Sequence, residues 1–360
     1  MKPQQTSDDQ ASRLPSGAAA RADDRTDGAT GPSGRPTAAD RPAGIHPAAD
    51  RPVGAGPDRP ATTPVRYFAW GALVFVAVAL VDTGLRAGGH EQPLDPTSGI
   101  PVPPRDLAYR ATSNTLSIVW AACGGVSALI YSVREYVKTR SLIPFFLVLS
   151  APLIAFPATV ADVLGGAYMA DGPHFDTVTI LGRHMGLFVF AVWIDFGIFM
   201  YVIFTALGRG ARTRVLWLLV AVSCVGDIVS EELMLPFGSY RYYGNQPLVL
   251  IHQLPWWWVP CNVVGCFLAA TLAHRYRHLL TGWRASAMLV ITPVSVLGVY
   301  GFTAMPSFIA VNGNHPWLVT QVLGLLTVAL GVVTFLAVLN LVLARHPFDM
   351  EGTGDLPDPA

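Results

Sequence analysis

Charge is scarce in this chain of 360 residues. Asp, Glu, Lys and Arg make up 13% of it, about half the globular share, and the formal net charge is zero. No basic surplus is present to attract nucleic acid. Cysteine is scarce as well. The four (Cys123, Cys224, Cys261, Cys266) all fall in apolar stretches and read as small core residues, not as a disulfide framework or a zinc site. No phosphate-cradling glycine loop, dinucleotide fingerprint or nucleophile elbow appears, so hydride and phosphoryl transfer have no motif to rest on. His274 and His278 stand four apart in a basic link with no third ligand beside them. We therefore expect no metal and no cofactor.

Residues 1–64 have almost no large apolar side chains and are rich in Pro, Gly, Ala, Asp and Arg. Such a segment cannot bury enough surface to offset its ordering entropy, and a disordered tail is expected. It has no apolar core of the signal-peptide kind. Residues 346–360 read as a second polar tail.

What the chain has in abundance is long apolar runs, several reaching the roughly 20 residues a membrane-crossing helix needs. The expected fold is all-α: a polytopic transmembrane bundle over 65–345. It has about eight spans, near 67–85, 116–133, 142–164, 185–207, 215–235, 255–273, 285–304 and 317–344. Cations crowd the links after the second, fourth and sixth spans (Arg134, Lys138, Arg140; Arg209, Arg212, Arg214; Arg275, Arg277, Arg284). By the positive-inside rule both termini then face the cytoplasm of a cell-membrane protein. Trp256-Trp257-Trp258 falls at the outer interface, where an aromatic belt is expected.

Against this background the few buried-looking acids stand out, since a carboxylate at the centre of a span costs roughly 2.5–3.5 kcal/mol on insertion scales. Asp227 and Glu231 lie four apart near the end of one helix and share a face. Glu232 is turned by about 100° from Glu231. The expected topology brings Asp82, Asp162, Asp227, Glu231, Asn262 and Tyr300 to a similar depth in the outer half of the bundle. Asp195 lies about midway along its span, either as a site group or in an internal hydrogen bond. Two carboxyls with different surroundings form a recurring acid/base arrangement. The alternative is a set of independent hydrogen bonds between helices. After the acids comes Phe237-Gly238-Ser239-Tyr240-Arg241-Tyr242-Tyr243-Gly244-Asn245, expected to be a tight re-entrant or surface loop. Its tyrosines offer walls and donors, and Arg241 is its only cation.

The stretch from Asp227 to Gly244 resembles the AveC-like spirocyclase family of actinobacteria. There an Asp-x-x-x-Glu segment at a helix end runs into a Gly-x-Tyr-x-Tyr-x-Gly-like loop, matched here by Asp227, Glu231, Gly238, Tyr240, Tyr242 and Gly244. A proline and aromatic cluster follows, here 255–258. The multi-span layout is also similar, and 1–64 fall outside the likeness. The resemblance implies spiroketal closure on a polyketide, in some members with dehydration. The expected catalytic residues are Asp227, Glu231 and Asp195. Glu231 donates a proton and Asp227 accepts one, or the two roles are exchanged. Tyr240, Tyr242, Arg241, Asn262, Asp162 and Asp82 are expected to bind a hydrophobic small-molecule substrate, with the lipid bilayer as the other partner. A membrane terpene cyclase is a rival, suited by the aromatic fourth span (Phe188, Phe190, Trp193, Phe196, Phe199, Tyr201). A proton-coupled transporter is another, suited by intramembrane acids and prolines (Pro152, Pro157, Pro293).

Overall fold

The chain divides into two units, Met1–Asp58 and Arg59–Ala360. The computed structural model describes residues 95–353 except 98, 174–176 and 252, together with 70, 73, 74, 77, 80 and 81, which are helical. The expected tail 1–64, most of the first span, Asp82 and residues 354–360 lie outside the described residues.

The described chain is mostly helical. Helix α1 is Ala111–Thr139. Helix α2 (Ile143–Ser150) passes through a tightened turn at Ala151–Ile154 into α3 (Ala155–Gly165). Pro152 occupies that turn, where its missing N–H and fixed φ do least harm. Then come α4 (Leu187–Gly208), α5 (Thr213–Met234) and α6 (Trp258–Arg275). Helices α7 (Met288–Thr303), α8 (Met305–Asn312) and α9 (Trp317–Ala337) follow, α9 ending in a widened turn at Val338–Val342. Among the described residues, five helical segments are long and apolar enough to cross a membrane: Ala111–Thr139, Ile143–Gly165, Leu187–Gly208, Gly282–Thr303 and Trp317–Val342. Helices α5 and α6 coincide with two more of the expected spans but are not among these five.

Helix α6 is the buried centre, packed by α4, α5, α7 and α9. Its Ala, Gly and Cys positions let the neighbours approach, a general device of membrane bundles. The basic links collect at one end of the bundle. Arg134 and Arg209 both lie near Tyr201, and the His274 ring meets Phe204 edge-on.

Two departures from an all-α chain occur at the opposite end. Strand β1 (Ala167–Met169) pairs antiparallel with β4 (Tyr240–Tyr242), placing Met169 opposite Tyr240 and Ala167 opposite Tyr242. Strands β2 (Thr177–Ile180) and β3 (Arg183–Gly186) form a hairpin whose two turn residues, Leu181 and Gly182, both have positive φ. The expected loop 237–245 is thus partly a strand. Two glycines seat the β1–β4 pair, Gly166 against the chain after β4 and Gly244 against Val311 on α8. Gly166 ends α3 at φ +67°, where a Cβ would sit 2.3 Å from the Tyr243 carbonyl oxygen; at Gly244, φ +82°, a Cβ would sit 2.8 Å from the Val311 carbonyl oxygen. Only glycine takes such a conformation freely.

The C-terminal stretch is not a free polar tail as far as Gly352. Helix α5 has no side-chain cap at its start. The orphan N–H groups of Thr213 and Arg214 donate instead to the carbonyls of Gly352 and Met350, at 3.0 and 3.1 Å. Glu351 pairs with Arg212 and Arg214 beside them.

Replacing Gly166 by Val should cost about 2–4 kcal/mol through strain and collision. Replacing Gly298 by Ala, where a Cβ meets nothing within 4 Å, should be neutral or stabilising. Thermal unfolding of the detergent-solubilised protein reads both.

Candidate active site

A cavity of about 760 Å³ lies among α1, α3, α4, α5, α6 and α7, and its walls are mostly apolar. Its polar groups gather at the β1–β4 end. Asp227 and Glu231 enter from one face of α5, as the four-residue spacing requires. Asp162 enters from the last turn of α3. Glu231 lies close enough to both Asp162 and Asp227 for the charges to interact.

Each carboxyl is held differently. The hydroxyls of Tyr240 and Tyr242 both donate to Oε2 of Glu231, each at 2.8 Å. Strand alternation explains this convergence: residues 240 and 242 point to one side and Arg241 to the other. Asp227 Oδ2 accepts from the Asn262 amide at 3.0 Å, and the Tyr300 hydroxyl donates to that amide's oxygen. This forms a chain from α7 through α6 to α5. Oδ2 of Asp162 is buried and has no hydrogen-bond partner among the described residues.

Burial pushes the Tyr240 and Tyr242 phenols well above their ordinary value, and the Glu231 carboxyl beside them adds to it. Both therefore remain O–H donors across the physiological range. An aromatic wall backs them. Phe188 stacks on Tyr240 with ring centroids 6.2 Å apart, Tyr240 meets Tyr242 edge-on, and Trp258 lies against both Tyr242 and Tyr300.

The expected site residues are placed as follows. Asp162, Asp227, Glu231, Tyr240, Tyr242 and Asn262 come together. Asp195 lines the same cavity but stands two turns, roughly 10 Å, along α4 from Phe188. Its Oδ2 accepts from the Trp120 indole at 3.2 Å. Arg241 is not in the site. It is exposed and lies 3.7 Å from Asp106, because alternation turns it away from the cavity. Asp82 lies outside the described residues. Glu232 faces the neighbouring loop, where Oε2 accepts from the Gln253 N–H at 3.5 Å.

The tryptophan triplet departs from the belt expectation. Trp257 and Trp258 are buried and stacked, and Trp258 lines the cavity. A belt tryptophan needs a lipid-facing position, and the start of α6 is at the centre of the packing. Arg183 was also overlooked. It donates to the Tyr243 hydroxyl at 3.0 Å and lies near Asp162. Its signal was available, since it is the only Lys or Arg between Arg140 and Arg209. Among the described residues no group of three or more His, Cys, Asp or Glu side chains is arranged to hold a metal ion.

Family models, curated proteins and solved structures offer no match to this chain.

Replacing Glu231 by Leu would strand two buried phenol hydroxyls and should cost about 2–4 kcal/mol. Gln keeps an acceptor oxygen and the shape, and should cost about 1 kcal/mol or less. Comparing the unfolding temperatures of the two variants checks the junction independently of any activity.

Proposed function

We propose that the protein is a membrane-embedded, cofactor-independent cyclase working by carboxylate acid/base chemistry on a hydrophobic, oxygenated small molecule. The observation that carries this reading is the convergence of Asp162, Asp227 and Glu231, with three tyrosines, at one end of an otherwise apolar cavity. General acid/base chemistry needs a donor and an acceptor near one reacting centre. An apolar chamber shielded from bulk water also limits attack by water on a reactive cation.

The resemblance around Asp227–Gly244 supplies the reaction class, spiroketal closure on a polyketide. A dihydroxyketone closes to a hemiketal. Protonation of its hydroxyl expels water and leaves an oxocarbenium ion. The second hydroxyl attacks that ion and gives up its proton, so the balance is spiroketal plus one water. The hydrogen bonds favour the exchanged assignment of roles. Oε2 of Glu231, already accepting two O–H bonds, is set up as the proton acceptor, and Asp227 becomes the donor. Tyr240, Tyr242 and Trp258 present rings to the cation, an attraction worth about 0.5–2 kcal/mol per contact.

In this reading the chain crosses the membrane eight times, 67–85 supplying the first span and α5 and α6 two of the others. Both termini are cytoplasmic, and the polar end of the cavity faces outward. The grouping of the basic links at the far end of the bundle supports that orientation. A prenyl substrate is the second reading, favoured by the aromatic lining at Phe188, Trp193, Phe196 and Phe199.

Deleting the gene in its native host and comparing extracts by mass spectrometry tests the proposal. The expected result is accumulation of an open-chain compound isomeric with the normal metabolite or heavier by one water, and fragmentation then separates polyketide from terpenoid. An unchanged metabolite profile would overturn the cyclase reading.

A further inference from the structure

The cavity is lined partly by residues that also face outward. On α1 these are Trp120, Cys123 and Ser127; on α5 they are Val222 and Gly226. Trp120 is 67% exposed and Val222 59%. Each set follows the three- and four-residue spacing of a single helix face. The two faces confront each other across a gap. Helix α1 packs on α4, whereas α5 leans mainly on α6.

The height of this gap is informative. Trp120 to Ser127 lie roughly 14–18 Å from either end of α1 at 1.5 Å per residue. Helix α1 is one of the five segments long and apolar enough to cross a membrane. The surrounding surface is apolar too: Leu116, Val119 and Val126 on α1, and Leu218, Val225 and Val229 on α5, are all exposed. An opening at that depth, rimmed by such side chains, faces hydrocarbon and not water. The described residues of the earlier helical stretch lie elsewhere. Its Val74 packs against Ile309, Ala310 and Leu323, on α8 and α9, and none of its described positions lines the cavity.

We infer that the cavity opens sideways into the bilayer between α1 and α5, and that its substrate is a lipid-dissolved molecule entering by that portal. The occupant is a largely hydrocarbon compound with hydroxyl or carbonyl oxygens at one end. The oxygenated end reaches the carboxyl and tyrosine groups. The hydrocarbon remainder lies against Val192, Trp193, Phe196 and Leu219 and points back to the portal. Asp195, held by Trp120, brings a carboxyl group to the portal rim. The substrate class rests on the cyclase reading; the route of access does not.

Cysteine labelling in phosphatidylcholine nanodiscs tests the route. The reporter is Ser230→Cys, on the cavity wall between the portal and Glu231, in a background where both accessible cysteines are replaced, Cys123→Ala and Cys224→Ala. Pyrene maleimide, which partitions into lipid, should label it, and a sulfonated stilbene maleimide should not. Gly226→Trp should abolish the pyrene labelling. A Cβ at Gly226 meets nothing within 4 Å, so the larger side chain starts into open space at the opening. Val222→Trp, at an already exposed position, is an independent plug with the same expected loss. Equal labelling by the sulfonated reagent, or pyrene labelling unchanged by both plugs, would overturn the portal. A portal confirmed in this way beside an unchanged metabolite profile after gene deletion would retire the cyclase and leave the route standing.

Discussion

The hydroxyls of Tyr240 and Tyr242 meet on a single oxygen of Glu231, and the rest of the site is arranged around that junction. It joins a helix end to a strand, so it holds only if β4 stays paired with β1. That pairing places the strand at the end of α3, which is also where Asp162 enters the cavity. Gly166 lets the backbones approach closely enough for the ladder to form, and Gly244 lets the chain leaving β4 seat against Val311. Backbone sterics at two glycines, a three-residue ladder and two phenol hydrogen bonds therefore act in series. Loss of the first would loosen the last.

The site combines two materials that ordinarily exclude each other. Carboxyl groups in a low-dielectric surrounding are costly unless each finds donors. Here Glu231 has two phenols and Asp227 an amide that is itself held by Tyr300. The oxygen of Asp162 left without a partner is the exception, and it adjoins the space a substrate would occupy. The apolar remainder of the cavity excludes water and accepts hydrocarbon. Polar chemistry at one end and a lipid-facing opening along the side suit a substrate of the same two-part character.

Much of this was legible in the sequence, for definite reasons. The i,i+4 spacing of Asp227 and Glu231 fixes their common face wherever the helix goes. The length of the apolar runs locates most of the helices to within a few residues. The elements that escaped are those set by tertiary contacts. A strand of three residues has too little pattern to be seen, so the loop 237–245 concealed the alternation that turns Arg241 outward and both tyrosines inward. The tryptophan triplet read as an interfacial belt because nothing local distinguishes an indole facing headgroups from one packed at the start of a central helix. The docking of Gly352 and Met350 onto the start of α5 depends on backbone carbonyls, which carry no residue signature. Arg183 was visible as a lone cation, but its proximity to Asp162 arises from a hairpin whose register only the folded chain reveals.

On the proposed cyclase reading, the α5 carboxyls move the protons of ring closure. Complementing the gene deletion with Asp227→Asn, with Glu231→Gln and with the double variant tests it most directly. Both amides preserve shape and hydrogen-bond acceptors, so protein level and unfolding temperature should hold near wild type. Each single variant should sharply lower the cyclised product, and the double variant should make none. A folded double variant that restores the product at the wild-type rate would contradict it.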